Sequence, residues 1–129
     1  YTLAEVPGAD GLFPVWRFRD GAWDQPFGLP AEGGFRAVAA DIGPDGALYL
    51  LEREFAGLAG FAMRLRRFAL TDAGPTGERT LIRTEAGRHD NLEGLSVSRG
   101  PQGLVATMVS DDNFRFFQRT EIVEYLLPD

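Results

Sequence analysis

Cysteine is absent from this 129-residue chain, and histidine occurs once, at His89. Without thiols there is neither a disulfide framework nor a thiolate zinc site, and the redox compartment stays open. A lone imidazole also leaves a histidine-built zinc centre without ligands. A serine hydrolase triad would have to use His89, and no Gly-x-Ser-x-Gly elbow accompanies it. Gly-x-Gly-x-x-Gly and Walker patterns are missing as well, which removes the usual phosphate cradles of nucleotide enzymes. No apolar run approaches the roughly 18 residues that a membrane span needs, and the start of the chain lacks the make-up of a signal peptide. Basic residues are in short supply. Thirteen against nineteen acidic residues give a net charge of -6, which opposes nonspecific attraction to nucleic acid or anionic membrane. A cationic or metal-bridged partner is easier to accommodate. The chain opens at Tyr1 without an initiator Met, so a processed, nicked or truncated product is expected, with any targeting segment lost with the missing part.

What is plentiful is turn chemistry. Sixteen glycines and eight prolines fall in short clusters, which favours an all-β domain over a helical one. The length suits a single domain, and no linker or low-complexity tract divides it. Between the turns the apolar residues recur with period two. This predicts strands over 13–19, 35–42, 47–53, 61–70, 79–84, 92–98, 104–110 and 120–127, with a short helical turn as the alternative for 52–60. In the 61–70 strand, Phe61, Met63 and Leu65 share one face, with Arg64 and Arg66 on the other.

The turn Gly43-Pro44-Asp45-Gly46 reappears as Gly100-Pro101-Gln102-Gly103, an offset of 57 residues (100 minus 43). Phe35 and Val38 then align with Leu92 and Leu95, and Arg36 with Glu93. A repeat of strand, turn, strand, longer strand and short strand is that of propeller blades, whose usual period is roughly 40 to 50 residues. The alternative is an antiparallel sandwich whose two hairpins share turn chemistry. On the propeller reading, one complete blade spans about 35–84 and a last blade about 92–127, within an array of two to three four-stranded antiparallel blades. A closed ring needs at least about four blades, and open edges invite association. The remainder of the same propeller, or a second chain, is therefore expected to complete the ring.

The polar residues concentrate in three blocks, Asn91-Leu92-Glu93-Gly94, Ser110-Asp111-Asp112-Asn113-Phe114 and Gln118-Arg119-Thr120-Glu121. A hairpin folded at 100–103 brings the first two together at one end of a sheet. Acidic and amide oxygens gathered there suit a hard cation or a hydroxylated ligand. Arg36 and Arg53 occupy the equivalent end of the preceding repeat. Carboxylates beside guanidinium groups suit a calcium-bridged phosphate, with arginine gripping the phosphoryl oxygens. The assignments that follow are Glu93 and Arg53 as catalytic residues, Arg36, Arg119 and Asn113 as ligand binders, and Glu93, Asp111 and Asp112 as calcium ligands. Plainer roles stand beside each of these. Asp111-Asp112-Asn113 also reads as a tight turn, Glu93 as the ion-pair partner of Arg53 or Arg119, and Gln118 and Thr120 as partners of backbone groups. His89, in the polar loop 87–90, reads as solvent-exposed.

These blocks, together with Gly34-Phe35 and Glu52-Arg53-Glu54-Phe55, resemble the C-terminal half of the bacterial phytase-like family known as "esterase-like activity of phytase", from about Gly34 to Leu127. The resemblance implies a β-propeller that is usually exported, periplasmic or secreted, of which this chain is the last portion. It also implies an esterase- or phosphatase-like hydrolase acting on a small-molecule ester or phosphate. Glu93-Gly94 looks like a Glu-Gly pair that true propeller phytases carry at a comparable blade position. The chain departs from those enzymes in lacking most of the acidic ligands of their multi-calcium site. Three readings follow: a calcium-dependent hydrolase at the channel face, a noncatalytic ligand- or protein-binding propeller, and a structural piece whose acidic cluster fastens blades together.

Overall fold

The structure is a computed structural model, and it describes residues 1–114, 116 and 118–128. Among these residues ten strands form three antiparallel sheets in chain order: β1 (Thr2–Leu3), β2 (Leu12–Arg19) and β3 (Ala22–Pro30); β4 (Arg36–Ile42), β5 (Leu48–Phe55), β6 (Phe61–Thr71) and β7 (Gly74–Arg83); and β8 (Leu92–Gly100), β9 (Gly103–Ser110) and β10 (Ile122–Leu126). Each sheet is a meander of sequential neighbours. The only helical turn among the described residues is a single 3-10 turn at Gly57–Ala59. Three successive sheets that do not close are the arrangement of a partial propeller, and the two-sheet sandwich is thereby excluded.

Period two fixes how the sheets stack. Along β5, Leu48 and Leu50 pack with Phe13, Val15, Leu29, Ala37 and Phe68 between the first and second sheets. Tyr49 and Leu51 point the other way, into a cluster with Met63, Leu65, Leu92, Val97, Ala106 and Met108 between the second and third sheets. The middle sheet is thus buried on both faces, which is why β5 reads as a continuous apolar run. β4 and β8, the leading strands of successive sheets, lie against each other. The Val97 N–H donates to Asp41 Oδ2 across that seam (2.7 Å).

The first sheet is larger than the sequence reading allowed, which gave it only 13–19. β3 was missed because Asp24, Gln25, Pro26, Gly28 and Pro30 break the alternation. An edge strand tolerates this, since its outer N–H groups bond no neighbour and proline forfeits nothing there. The turn before it follows its residues: Asp20 (φ 51°) and Gly21 (φ 81°) are both left-handed, the two-residue hairpin geometry that Asp-Gly favours. β7 likewise begins at Gly74, before the predicted start at 79.

The arginine face of β6 lies inside the molecule. Arg64 and Arg66 are buried, and both chelate the fully buried Glu52. Arg64 donates from Nε and Nη2 to Glu52 at 2.8 and 3.0 Å, and Arg66 from the same atoms at 2.8 and 2.7 Å. The remaining donors reach Glu32 (2.9 Å), Glu78 (2.7 Å) and the Pro30 carbonyl (2.6 Å). This network ties β6 to the end of β3. Its charges are compensated by paired geometry, as burial of ions requires.

Candidate functional site

β5 carries Arg53 to the end of the second sheet, directly across from Arg36 on β4. On β8, Leu92 pairs with Ser110 and Gly94 with Val109, which leaves Glu93 as the extra residue of a bulge. A bulge re-aims the side chain it carries. Gly94 permits it, because a Cβ there would lie 2.5 Å from Val109 Cγ1. Glu93 consequently crosses to the neighbouring sheet, where Arg53 Nη1 donates to its Oε1 (2.6 Å). Asn91 Nδ2 donates to the same oxygen (2.9 Å). Oε2 has no protein donor among the described residues. Arg53 also approaches Glu5 Oε1 (3.7 Å) and lies over the Phe61 ring, 5.4 Å from its centroid. One guanidinium thus joins the amino-terminal segment to the second and third sheets.

Arg53 and Glu93 line a polar cavity of about 430 Å³ with Thr2, Glu5 and Val38. Arg53 also lines a neighbouring cavity of about 480 Å³, shared with Arg36, Glu54 and Phe55. Burial tends to raise the Glu93 carboxyl, but the hydrogen bonds from Arg53 and Asn91 and the Arg53 charge outweigh it and hold the group below the usual glutamate range. Glu93 is therefore an anion at neutral pH.

The other predicted site residues are drawn together, but into different work. Asp111 Oδ1 accepts the Asn113 N–H and Asp112 Oδ1 the Phe114 N–H, each at 2.9 Å. These are Asx turns, the plainer of the two readings. Asn113 is exposed, with its Nδ2 3.5 Å from Gln118 Oε1. Arg119 does not pair with Glu93; among the described residues its guanidinium forms no ion pair. Its backbone is held instead, the N–H donating to Asp90 Oδ2 (2.7 Å) and the carbonyl accepting from Ser110 Oγ (2.7 Å). Thr120 Oγ1 lies 3.3 Å from Asp112 Oδ2.

The three residues assigned as calcium ligands do not gather into one donor set. Among the described residues no three acidic or imidazole side chains converge as a metal would require. Glu93, Asp111 and Asp112 are separately engaged with Arg53, Asn91 and backbone amides. Among the described residues the site retains a single buried acceptor, Asn91 Oδ1, without a donor. One amide oxygen suits a water or an incoming N–H or O–H rather than a multivalent cation.

Two residues that the sequence reading left outside the site organise the region. Asp90 accepts from the Asn91 N–H (2.8 Å), Gln118 Nε2 (3.2 Å) and the Arg119 N–H (2.7 Å), and its own N–H donates to Glu121 Oε1 (2.7 Å). His89 is not solvent-exposed as expected: its side chain retains 12% of its exposure. Its Nε2 shares a 2.6 Å hydrogen bond with the Tyr125 hydroxyl, and its Nδ1 lies 3.7 Å from Glu121 Oε1. The available signal was the adjacency of His89 and Asp90 to the Asn91 block. The partners at Tyr125 and Glu121 are far off in sequence.

Comparison with known proteins agrees with this architecture. The family model described as "Phytase-like: Esterase-like activity of phytase" matches residues 3–114. The match begins well before Gly34, taking in the first sheet, and stops short of the block 118–121. No curated protein and no solved structure matches this chain. With the family model spanning all but Thr2 of the first two sheets, and the first two strands of the third, the chain belongs to the phytase-like family.

Proposed function

We propose that this chain is part of an exported phytase-like β-propeller hydrolase, and that the Arg53–Glu93 pair is where it engages a small phosphoester or carboxyl ester. The observation that carries this reading is the placement of Glu93 on a bulge. The bulge aims an ionised carboxylate, with Oε2 free of protein donors among the described residues, into a polar cavity beside a guanidinium. Arg53 supplies charge-assisted donors for a phosphoryl or carbonyl oxygen as negative charge grows on it. Glu93 Oε2 accepts the proton of an attacking water or orients a ligand hydroxyl. No step in this scheme passes through calcium. The rest of the propeller, from the same polypeptide or a second chain, completes the ring around this face.

A noncatalytic binding role is the second reading, favoured by a specific feature. A carboxylate held below its usual range by two donors is a weak proton acceptor at neutral pH. Turnover of p-nitrophenyl acetate and p-nitrophenyl phosphate by the intact protein separates the two. The hydrolase reading expects measurable turnover of at least one ester, reduced about 100-fold or more in Glu93→Gln, within the roughly 10²- to 10⁴-fold contribution of a positioned acid or base. Absence of turnover in the wild-type protein overturns that reading and leaves the binding role.

A further inference from the structure

On the far side of the Phe55–Phe61 ring pair lies a separate cavity of about 590 Å³, within the usual size range of small-molecule sites. We propose that it is a second ligand site, and that it takes a small amphipathic carboxylate: an aryl or alkyl body with one anionic head. The walls are apolar and open. Phe55 is 68% exposed and Leu58 fully so, while the Phe55 and Phe61 rings pack 5.2 Å apart at 48°. Large apolar side chains left in water are what a bound apolar body would cover.

These walls are set before any ligand arrives. The loop between β5 and β6 is closed by Ala56 N–H to Gly60 O (2.8 Å) and Gly60 N–H to Gly57 O (3.1 Å). Gly87 is pinned to Phe61 O (3.0 Å), and its Cα lies so close to this loop that an added Cβ would sit 2.9 Å from Ala59 O. His89 forms a fixed polar wall, its ring edge-on to Tyr125 at 88°.

The charges lining the cavity then select the head group. Both Asp90 oxygens are occupied by three donors. Arg119 is rooted at its backbone N–H and carbonyl, and its guanidinium forms no ion pair among the described residues. Among the described residues, the one charge lining this cavity without an ion-pair partner is therefore positive, in a chain whose net charge is -6. A planar carboxylate is the group that guanidinium grips through two parallel hydrogen bonds. The site is independent of Glu93, which lies in the other cavity.

Isothermal titration of the intact protein with 4-phenylbutyrate and its neutral analogue 4-phenylbutanol tests the assignment. The acid is expected to bind about tenfold or more tightly than the alcohol, the size expected of a charge-assisted pair. Arg119→Gln should abolish that difference while leaving alcohol binding intact, which also reports that the variant is folded. Phe55→Ala should weaken both probes, and Glu93→Gln neither. Equal affinity for acid and alcohol, no binding of the acid, or an acid preference that survives Arg119→Gln would overturn the proposal.

Discussion

Asp90, Asp111 and Asp112 carry the same side chain in one polar region and do different things, because of what lies within reach of each. Asp111 and Asp112 turn back on the amides two residues ahead, while Asp90 gathers donors from two segments nearly thirty residues apart. Composition revealed the concentration of oxygens, and spacing could not reveal which carboxylate would be the hub. Asp90→Ala should leave the Asn91 and Arg119 amides without their acceptor, at a cost of about 1–3 kcal/mol for the part-buried Asn91 N–H, while the exposed Arg119 N–H turns to water. Hydrogen exchange at those two amides, faster in the variant, checks this. Glu52 illustrates the same limit, since alternation put Arg64 and Arg66 on one face of their strand but could not name the buried carboxylate that both of them bond. Glu52→Ala strands two buried guanidinium groups and should destabilise the fold by about 3–5 kcal/mol in urea denaturation. For Glu93 the sign of the pH effect follows from its lowered carboxyl. The Arg53 clamp is fully present above the ordinary glutamate value of about 4.3 and is lost as pH falls through the lower folded value. The stability difference between wild type and Glu93→Gln should therefore shrink on acidification below that range, as followed by thermal melts. With the Glu93 side chain 37% exposed, solvent screening keeps that difference small.

At the level of elements, the strands that alternate cleanly were legible, and those that do not were missed. β5, β6, β8 and β9 have one or both faces in the core, so burial imposes period two on their residues. β3 lies at an edge, pairs on one side only, and is free to carry Pro26 and Pro30. The bulge at Glu93 was invisible for a related reason: one extra residue shifts register without changing composition. Glycines mark where elements touch. Gly87 combines a φ of 81° with contact against the loop between β5 and β6, so Gly87→Ala should cost about 1–3 kcal/mol. It should also loosen that loop, seen as faster exchange at the Gly60 amide. Unchanged stability and exchange would contradict the packing described.

At the scale of the whole molecule, the repeat at 57 residues was the signal that led to the architecture, because two hairpins with one turn chemistry imply two copies of one unit. What it could not supply was the relation between copies, which is set by β5 facing two cores at once and by Arg53 reaching across to Glu93. The second sheet has four strands and the third has three, with Ile122 and Leu126 exposed on its outer strand. The chain 1–129 on its own should therefore associate as its concentration rises, and sedimentation velocity would show this; a monomer throughout would argue against incomplete sheets. Chelation by EGTA should leave the melting temperature unmoved, since no three acidic or imidazole groups converge among the described residues. On the proposed function, Arg53 beside Glu93 faces an anionic ligand. Titration of inorganic phosphate into the intact protein reads this contact: binding should weaken about tenfold or more in Arg53→Gln, and equal affinity in the two proteins would contradict it.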